Sequence, residues 1–236
     1  MNDHRPLKLN ALLIGPIVPF GPNGEPSAIG KTPVNHPLSL GATGFVDDMQ
    51  ADLRHHGGTG KAVHHYPAEH YATWRREYPE IEPGRFQPGT FGENLSTFGL
   101  TEENVCIGDI FRMGNALLEV TQGRKPCWKI NERIGHPGIA ARMQESGRTG
   151  WYYRVLEHGT VSPDAEIFLL DRPYPEWTLA HLLKQLYLGP PDNEVLTRLS
   201  TLDALPGSWR EQARRRLETS YVEDSSQRMV TPAIKT

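Results

Sequence analysis

The sequence predicts a mainly β body with some helix, closed by a small all-helical module. Three observations point there. Twenty prolines and 23 glycines break the chain into many short elements joined by turns. Strand-like apolar runs recur through the first 170 residues. After Pro173 and Pro175 the apolar residues switch to helical spacing. With 236 residues, 37% of them apolar and 22% charged, the chain has the composition of a globular protein with a sizeable core.

Taken in order, residues 9–18 read as a strand and residues 19–26 as a Pro/Gly turn. The apolar run at 9–20 follows Arg5 and Lys8 as a leader would, but Gly15, Pro16 and Pro19 interrupt it and no small-residue cleavage pattern follows. Residues 27–34 form a second short strand that carries Lys31, and a turn-rich stretch then leads to Asp47, Asp48 and Asp52. Pro67 suits the first position of a helix running to about Tyr78, where Pro79 stops it. Tyr71, Trp74 and Tyr78 make its apolar stripe, which reads as core packing. Strands are expected at 105–113 and 116–121, joined at Gly114 and Asn115, and again at 151–156 and 167–170. A short helix at 137–146 ends on Gly147. Three helices follow at 177–188, 193–199 and 208–220, the last carrying a solvated basic face. This divides the chain into a β domain over 1–172, a three-helix module over 173–220 and a polar, poorly ordered tail over 221–236.

Composition excludes several functions. A net charge of −3 gives no basic field for a nucleic-acid polymer. No run approaches the ~20 apolar residues of a membrane span, and two cysteines make no disulfide framework, so a reducing cytoplasmic setting is expected.

The chemically suggestive stretch is Gly123-Arg124-Lys125-Pro126-Cys127-Trp128-Lys129. Positive neighbours favour a thiolate, the form that attacks electrophiles and binds soft metals, and Pro126 stiffens the backbone before it. Cys106, set between Val105 and Ile107, reads instead as a core residue. His55, His56, His64, His65 and His70 fall within 16 residues, but neither H-E-x-x-H nor C-x-x-C spacing is present for zinc. In a strand His64 and His65 face opposite sides, so only one can enter a given pocket. The Gly57–Lys61 stretch is not a P-loop, because His55 and Ala62 stand where that motif needs glycine and Ser or Thr. Its backbone N–H groups with Lys61 still suit another anion. A nucleophile pair of Cys127 with His56 or His65 is the remaining local alternative, though no cysteine-hydrolase signature surrounds it.

An ordered set of blocks resembles the MOSC domain family, named for the C-terminal region of molybdenum cofactor sulfurase, and most closely its YiiM-like branch. The blocks are Pro26-Ser27-Ala28-Ile29-Gly30-Lys31, His56-Gly57-Gly58 with His65-Tyr66-Pro67, and Phe91-Gly92-Glu93-Asn94-Leu95-Ser96-Thr97. Gly99-Leu100-Thr101-Glu102, Gly108-Asp109-Ile110-Phe111-Arg112, Arg124-x-Pro126-Cys127-x-Lys129 and Gly150-Trp151-x-Tyr153-Arg154-Val155 complete it. The three-helix ending resembles that branch as well. The resemblance implies a twisted, barrel-like β domain with peripheral helices. It implies that Cys127 ligates molybdenum held by a pterin dithiolene, making it both the catalytic and the metal residue. Lys31, Arg124 and Lys129 would then meet the cofactor's phosphate and pterin, with His56, Gly57, Gly58, His65, Glu93 and Asn94 lining the same pocket. Lys125 and His64 receive no role. The implied activity is reduction of N-hydroxylated nucleobases or hydroxylamines to amines. With no cysteine cluster for an iron–sulfur centre, electrons would come from a separate donor such as a flavoprotein. A carrier that holds the cofactor without turnover and a His-rich zinc hydrolase are the rival readings, and a homodimer is among the oligomeric states left open.

Overall fold

The computed structural model describes residues 6–52, 57–220 and 222–234. Strand β1 (Leu7–Ile14) buries Leu9, Ala11, Leu12 and Leu13. After it come the hairpin of β2 (Val18–Phe20) and β3 (Glu25–Ser27), then β4 (Thr32–Pro33), β5 (Leu38–Gly41) and β6 (Gly44–Phe45). Strand β7 (Val63–Pro67) is followed by helix α1 (Glu69–Glu77), and β8 is the short strand Leu95–Thr97. Next stand β9 (Ile110–Met113) and β10 (Ala116–Gly123), helices α2 (Lys129–Ile134) and α3 (Ile139–Ser146), and strands β11 (Trp151–Glu157), β12 (Gly159–Val161) and β13 (Glu166–Asp171).

Seven strands close into a barrel in the order β13-β9-β10-β11-β7-β8-β1, with β1 returning to β13 through Leu7 opposite Ile167. Closure leaves no open sheet edge, which short and irregular strands would otherwise expose. All neighbours are antiparallel except β7 and β8, where His65 lies opposite Leu95 in a parallel pair. A parallel pair needs a crossover, and α1 with the following loop supplies it. That loop returns the chain through Gly89 and Asn94, beside the end of β1.

One core fills the barrel with Leu12, Val63, Leu95, Phe111, Leu118, Val120 and Trp151. A second, aromatic cluster packs outside it: Tyr71 and Trp74 of α1 meet Tyr66, Phe86 and Phe91, and Ile130, Ile134 and Met143 of α2 and α3 close over them. The expected stripe of Tyr71 and Trp74 is therefore core.

Helices α4 (Leu179–Leu183), α5 (Asn193–Thr201) and α6 (Gly207–Thr219) form the C-terminal module, with α4 running on through a wide turn at Lys184–Leu188. Asp192 caps α5 by accepting from the Glu194 and Val195 N–H groups. Leu182, Leu186, Leu196, Leu199 and Trp209 belong to the same buried cluster as the barrel interior. The module is thus continuous with the barrel core. Backbone bonds from Ile107 N–H to Trp177 O and from Leu179 N–H to Val105 O, at 3.0 and 2.9 Å, fix the junction.

Several expected elements move. The strand expected at 105–113 shortens to its second half. Its first half turns so that the fully buried Asp109 can accept from Cys106 N–H at 2.9 Å and from Arg172 Nε and Nη2 at 2.9 and 2.6 Å. The strand expected at 27–34 is mostly loop, and helix α2 was not anticipated. In the stretch read as a poorly ordered tail, residues 222–234 include the short helix α7 (Ser226–Met229) and lie against α2, α3 and the Cys127 turn. Its polar side chains find specific partners there, which composition does not reveal.

Asp109 joins the barrel to the link leading into the module. Asp109→Ala strands the Arg172 guanidinium and the Cys106 N–H, so a loss of about 2–3 kcal/mol is expected, read as a drop of roughly 5–10 °C in Tm. A thermal melt matching the parent would reject this role.

Candidate functional site

Strand β10 ends at Gly123, and the chain then leaves the sheet through Arg124, Pro126 and Cys127 before α2 begins at Lys129. This exit places Cys127, 9% exposed, on the wall of an open cleft. Ser27 at the end of β3, then Ala28, Ile29 and Lys31, line it as well, together with Asp48 to Asp52. Lys61, His64, Gly92, Asn94, Arg124, Lys129 and Tyr152 complete the lining.

A buried ion pair organises the floor. Lys31 Nζ donates to both Asp48 carboxylate oxygens, with the contact to Oδ2 at 2.5 Å. Burial lowers the Lys31 pKa below the ordinary ammonium value, and Asp48 opposes that shift. Asp48 also accepts from Gly15 N–H at 2.9 Å and from Asn94 Nδ2 at 2.9 Å. Asn94 Oδ1 in turn accepts from the His64 N–H at 3.1 Å. One carboxylate therefore ties together the end of β1, the Lys31 loop and the return of the crossover.

Arg124 lies almost buried behind the cysteine. One guanidinium nitrogen donates to the Phe91 carbonyl, and Nε has no protein partner. His64 is buried, its ring lying against the Gly92 and Thr149 backbone. Burial, then the Arg124 charge, pushes the His64 pKa well below its usual value. Lys129 Nζ donates to Pro26 O at 2.9 Å, tying α2 to β3. Lys61 enters from the glycine turn, its pKa lowered by burial and then by Lys125.

Lys31, Asn94, Arg124, Cys127 and Lys129 are thus brought together as expected, and others are not. His65 faces the barrel interior. Its Nδ1 sits 3.0 Å from the Tyr153 hydroxyl and its Nε2 2.8 Å from Thr97 Oγ1, so both ring nitrogens are used. It neither lines the cleft nor is free to act as a base for Cys127. Glu93 stands behind the lining: Oε1 accepts from Tyr71 OH at 2.5 Å and Gly89 N–H at 2.6 Å, while Oε2 is unpartnered. Burial raises its carboxyl pKa, with those donors opposing. Gly57 and Gly58 lie outside the lining, and His56 falls outside the described residues. Lys125 turns away from the thiol and pairs with Glu223 at 2.6 Å.

Asp48, His64 and Tyr152 are the residues missed. Strand alternation had left either histidine open to the pocket, and the register picks His64. Nothing in the spacing linked Asp48 to Lys31. Among the described residues no group of three or more His, Cys, Asp or Glu side chains is placed to hold a metal ion. No helix among the described residues is long and apolar enough to cross a membrane. Cys106 and Cys127 are both free.

Comparison with known proteins adds a family context. The MOSC domain matches residues 52–168, and the YiiM-like, 3-alpha helix domain matches residues 177–220. The chain is 42% identical to protein YiiM of Escherichia coli (strain K12) over 88% of its own length and 92% of that protein. It is 44% identical to a protein named Reductase from Gibberella moniliformis, over 66% of this chain and 28% of that longer one. The crystal structure of YiiM from Escherichia coli superposes with a TM-score of 0.75 at 37% identity, covering 91% of this chain and 99% of that one.

Two outcomes follow from this geometry. Asp48→Asn leaves the Lys31 ammonium buried against a neutral amide, so a loss of about 3 kcal/mol in urea unfolding is expected. An unchanged unfolding midpoint would contradict it. His65 is held neutral, its pKa lowered by burial to about 3, while in the unfolded chain it takes a proton below about 6.5. Its contribution to stability is therefore complete above about pH 6.5 and is lost as pH falls toward 3, by up to about 1.4 kcal/mol per pH unit. His65→Gln should flatten the fall in unfolding free energy between pH 7 and 5, and parallel slopes for the two proteins would refute the assignment.

Proposed function

Because the chain belongs to the MOSC domain family, in its YiiM-like branch, we propose that it is a molybdenum-cofactor-dependent oxidoreductase that reduces N-hydroxylated compounds to amines. One observation carries the reading. A single cysteine stands on the wall of a cleft lined also by Lys31, Lys61, Arg124 and Lys129, and the Arg124 Nε is buried with no hydrogen-bond partner. Buried polar groups are ordinarily satisfied, so an unsatisfied guanidinium on a residue of the lining suits a polar, anionic ligand. A pterin dithiolene with its phosphate is such a ligand, and it is anionic.

The donor set fits the group. Cys127 offers the soft sulfur that molybdenum takes, and Lys31, Lys61, Arg124 and Lys129 offer charge-assisted donors to phosphate and pterin oxygens. When bound, the cofactor supplies two-electron redox chemistry at oxygen. The residues around it do the rest. Asp48 keeps Lys31 aimed along the floor, Asn94 fixes the crossover loop through Asp48 and the His64 N–H, and Tyr152 narrows the wall beside Arg124. The overall balance is R–NHOH with two electrons and two protons giving R–NH2 and water. The electrons come from a separate donor, for which a flavoprotein is the natural class. The reductase-named relative supports the redox direction of this reading.

The test compares protein made in hosts able and unable to synthesise molybdenum cofactor, by metal analysis and by reduction of N-hydroxyadenine with a competent donor. Molybdenum near one per chain with activity only in the first preparation is expected. Stoichiometric zinc without molybdenum would overturn the reading, and molybdenum without turnover would make the protein a carrier. Cys127→Ser should lower activity at least about 100-fold, beyond the usual effect of outer-shell changes. Cys106→Ser should keep activity and change stability by less than about 1 kcal/mol, because the hydroxyl can keep the bond that Cys106 Sγ makes to the Pro175 carbonyl at 3.5 Å.

A further inference from the structure

The Cys127 turn is held from both sides by one residue that lies beyond both matched families, in the tail at 222–234. The Arg228 carbonyl accepts from the Trp128 N–H at 2.9 Å. Its guanidinium donates through Nη1 to the Pro126 carbonyl, and through Nη2 to Gln144 Oε1 of α3 at 2.9 Å. The two peptide groups that flank Cys127 are therefore both bonded to Arg228.

Neighbouring contacts hold the tail in this register. Glu223 accepts from Lys125 Nζ at 2.6 Å and lies 3.8 Å from Arg228 Nε. Asn131 Nδ2 donates to Met229 O at 2.9 Å, and Thr231 Oγ1 donates to Glu132 at 2.8 Å. Further along, Asn23 Nδ2 of the β2–β3 hairpin donates to Ala233 O at 3.0 Å. That hairpin ends in Ser27, which also lines the cleft, and it packs on Trp128, which a Cβ at Gly21 would strike. The tail thus contacts both the cysteine segment and the hairpin.

The turn leaves β10 and enters a six-residue helix that has no side-chain cap. Its own backbone supplies the Ile130 N–H bond to the Cys127 carbonyl at 3.0 Å, while the Pro126 carbonyl and the Trp128 N–H take their partners from Arg228. A carbonyl receiving a guanidinium N–H is a charge-assisted bond, among the stronger kinds. From this geometry we propose that Arg228 is a positioning residue for Cys127: the C-terminal strap clamps the thiol-bearing turn and holds the sulfur at the angle the cleft requires. The proposal rests on the reading of Cys127 as the cofactor's ligand for its functional meaning, and on the strap contacts alone for its structural content.

The experiment separates the two. Full-length protein from a host without the cofactor is treated with iodoacetamide, and alkylation of Cys127 is followed by peptide mass spectrometry with buried Cys106 as internal reference. Losing one charge-assisted bond opens a local segment about tenfold more often, so Arg228→Ala should speed Cys127 labelling about tenfold with Cys106 labelling unchanged. Arg228→Lys keeps a cationic donor for the Pro126 carbonyl and should restore most of the protection. Glu223→Gln, which weakens the strap at Lys125 and Arg228 while leaving both Arg228 bonds to the peptides flanking Cys127 in place, should speed labelling in the same direction by a smaller factor, and it carries the test if Arg228→Ala does not fold. In a cofactor-competent host, molybdenum per chain should fall several-fold in Arg228→Ala and recover in Arg228→Lys. Wild-type labelling rates in Arg228→Ala and Glu223→Gln, or labelling of Cys106 and Cys127 accelerated together, would overturn the clamp. Faster labelling in a protein that never retains molybdenum would uphold the clamp and refute the function instead.

Discussion

The buried carboxylate of Asp48 is the constraint on which the cleft depends. A charge removed from water is costly unless paired and hydrogen-bonded, and Asp48 meets both conditions through Lys31, Asn94 and Gly15 N–H. Each partner belongs to a different part of the chain. Satisfying one carboxylate therefore fixes the end of β1, the Lys31 loop and the crossover return at the same time. Loops are usually the adaptable parts of a fold, yet here they make the floor of the site, and the ion pair is what makes them rigid. Glu93 does a similar service one layer back, pinning the Gly89 turn and Tyr71. Gly89 itself has a φ of +91° and lies so close to the Lys31 carbonyl that a Cβ would collide with it, so only glycine fits between the two layers.

Much of this was legible from the sequence, for identifiable reasons. The helices at 137–146 and in the C-terminal module carried caps and helical periodicity, which are local signals, and they appear close to where those signals put them. The resemblance placed Cys127, Arg124, Lys31, Asn94 and Lys129 together, and the fold brings them into one cleft. Asp48 escaped because its importance comes from a partner 17 residues away in a turn-rich stretch with no period to read. The strand expected at 105–109 failed because the buried Asp109 took its hydrogen bonds from Arg172 and Cys106 N–H, a long-range demand that outweighs strand propensity. The tail's contacts are illegible for the same kind of reason: its sequence is polar, and its partners are complementary groups on the Cys127 segment.

The two tryptophans of these regions show how packing and chemistry are divided. Trp74 stacks with Phe86, packs at a tilt on Phe91 and gives its N–H to Tyr66 OH at 2.7 Å, while Arg148 lies 3.9 Å over its ring. It is fully buried and wholly structural. Trp128 instead sits next to Cys127, against the β2–β3 hairpin, with Phe20 6.4 Å away. The first anchors the crossover that brings Gly92 and Asn94 to the cleft. The second couples the cysteine turn to the hairpin whose end also lines the cleft.

Adjacent residues on β7 make the distinction between core and site physical. Pleating sends His64 and His65 to opposite faces of one strand. Inside the barrel, His65 finds Tyr153 and Thr97 for its two nitrogens, so its interactions are complete and a ligand has nothing to add. On the outer face, His64 lies against the Gly92 and Thr149 backbone and near Arg124, whose Nε is buried without a hydrogen-bond partner. Leaving a buried polar atom unsatisfied costs stability, typically about 1–3 kcal/mol. The inner histidine is thus a closed part of the core, whereas its neighbour lines the cleft that Arg124 and Cys127 also line.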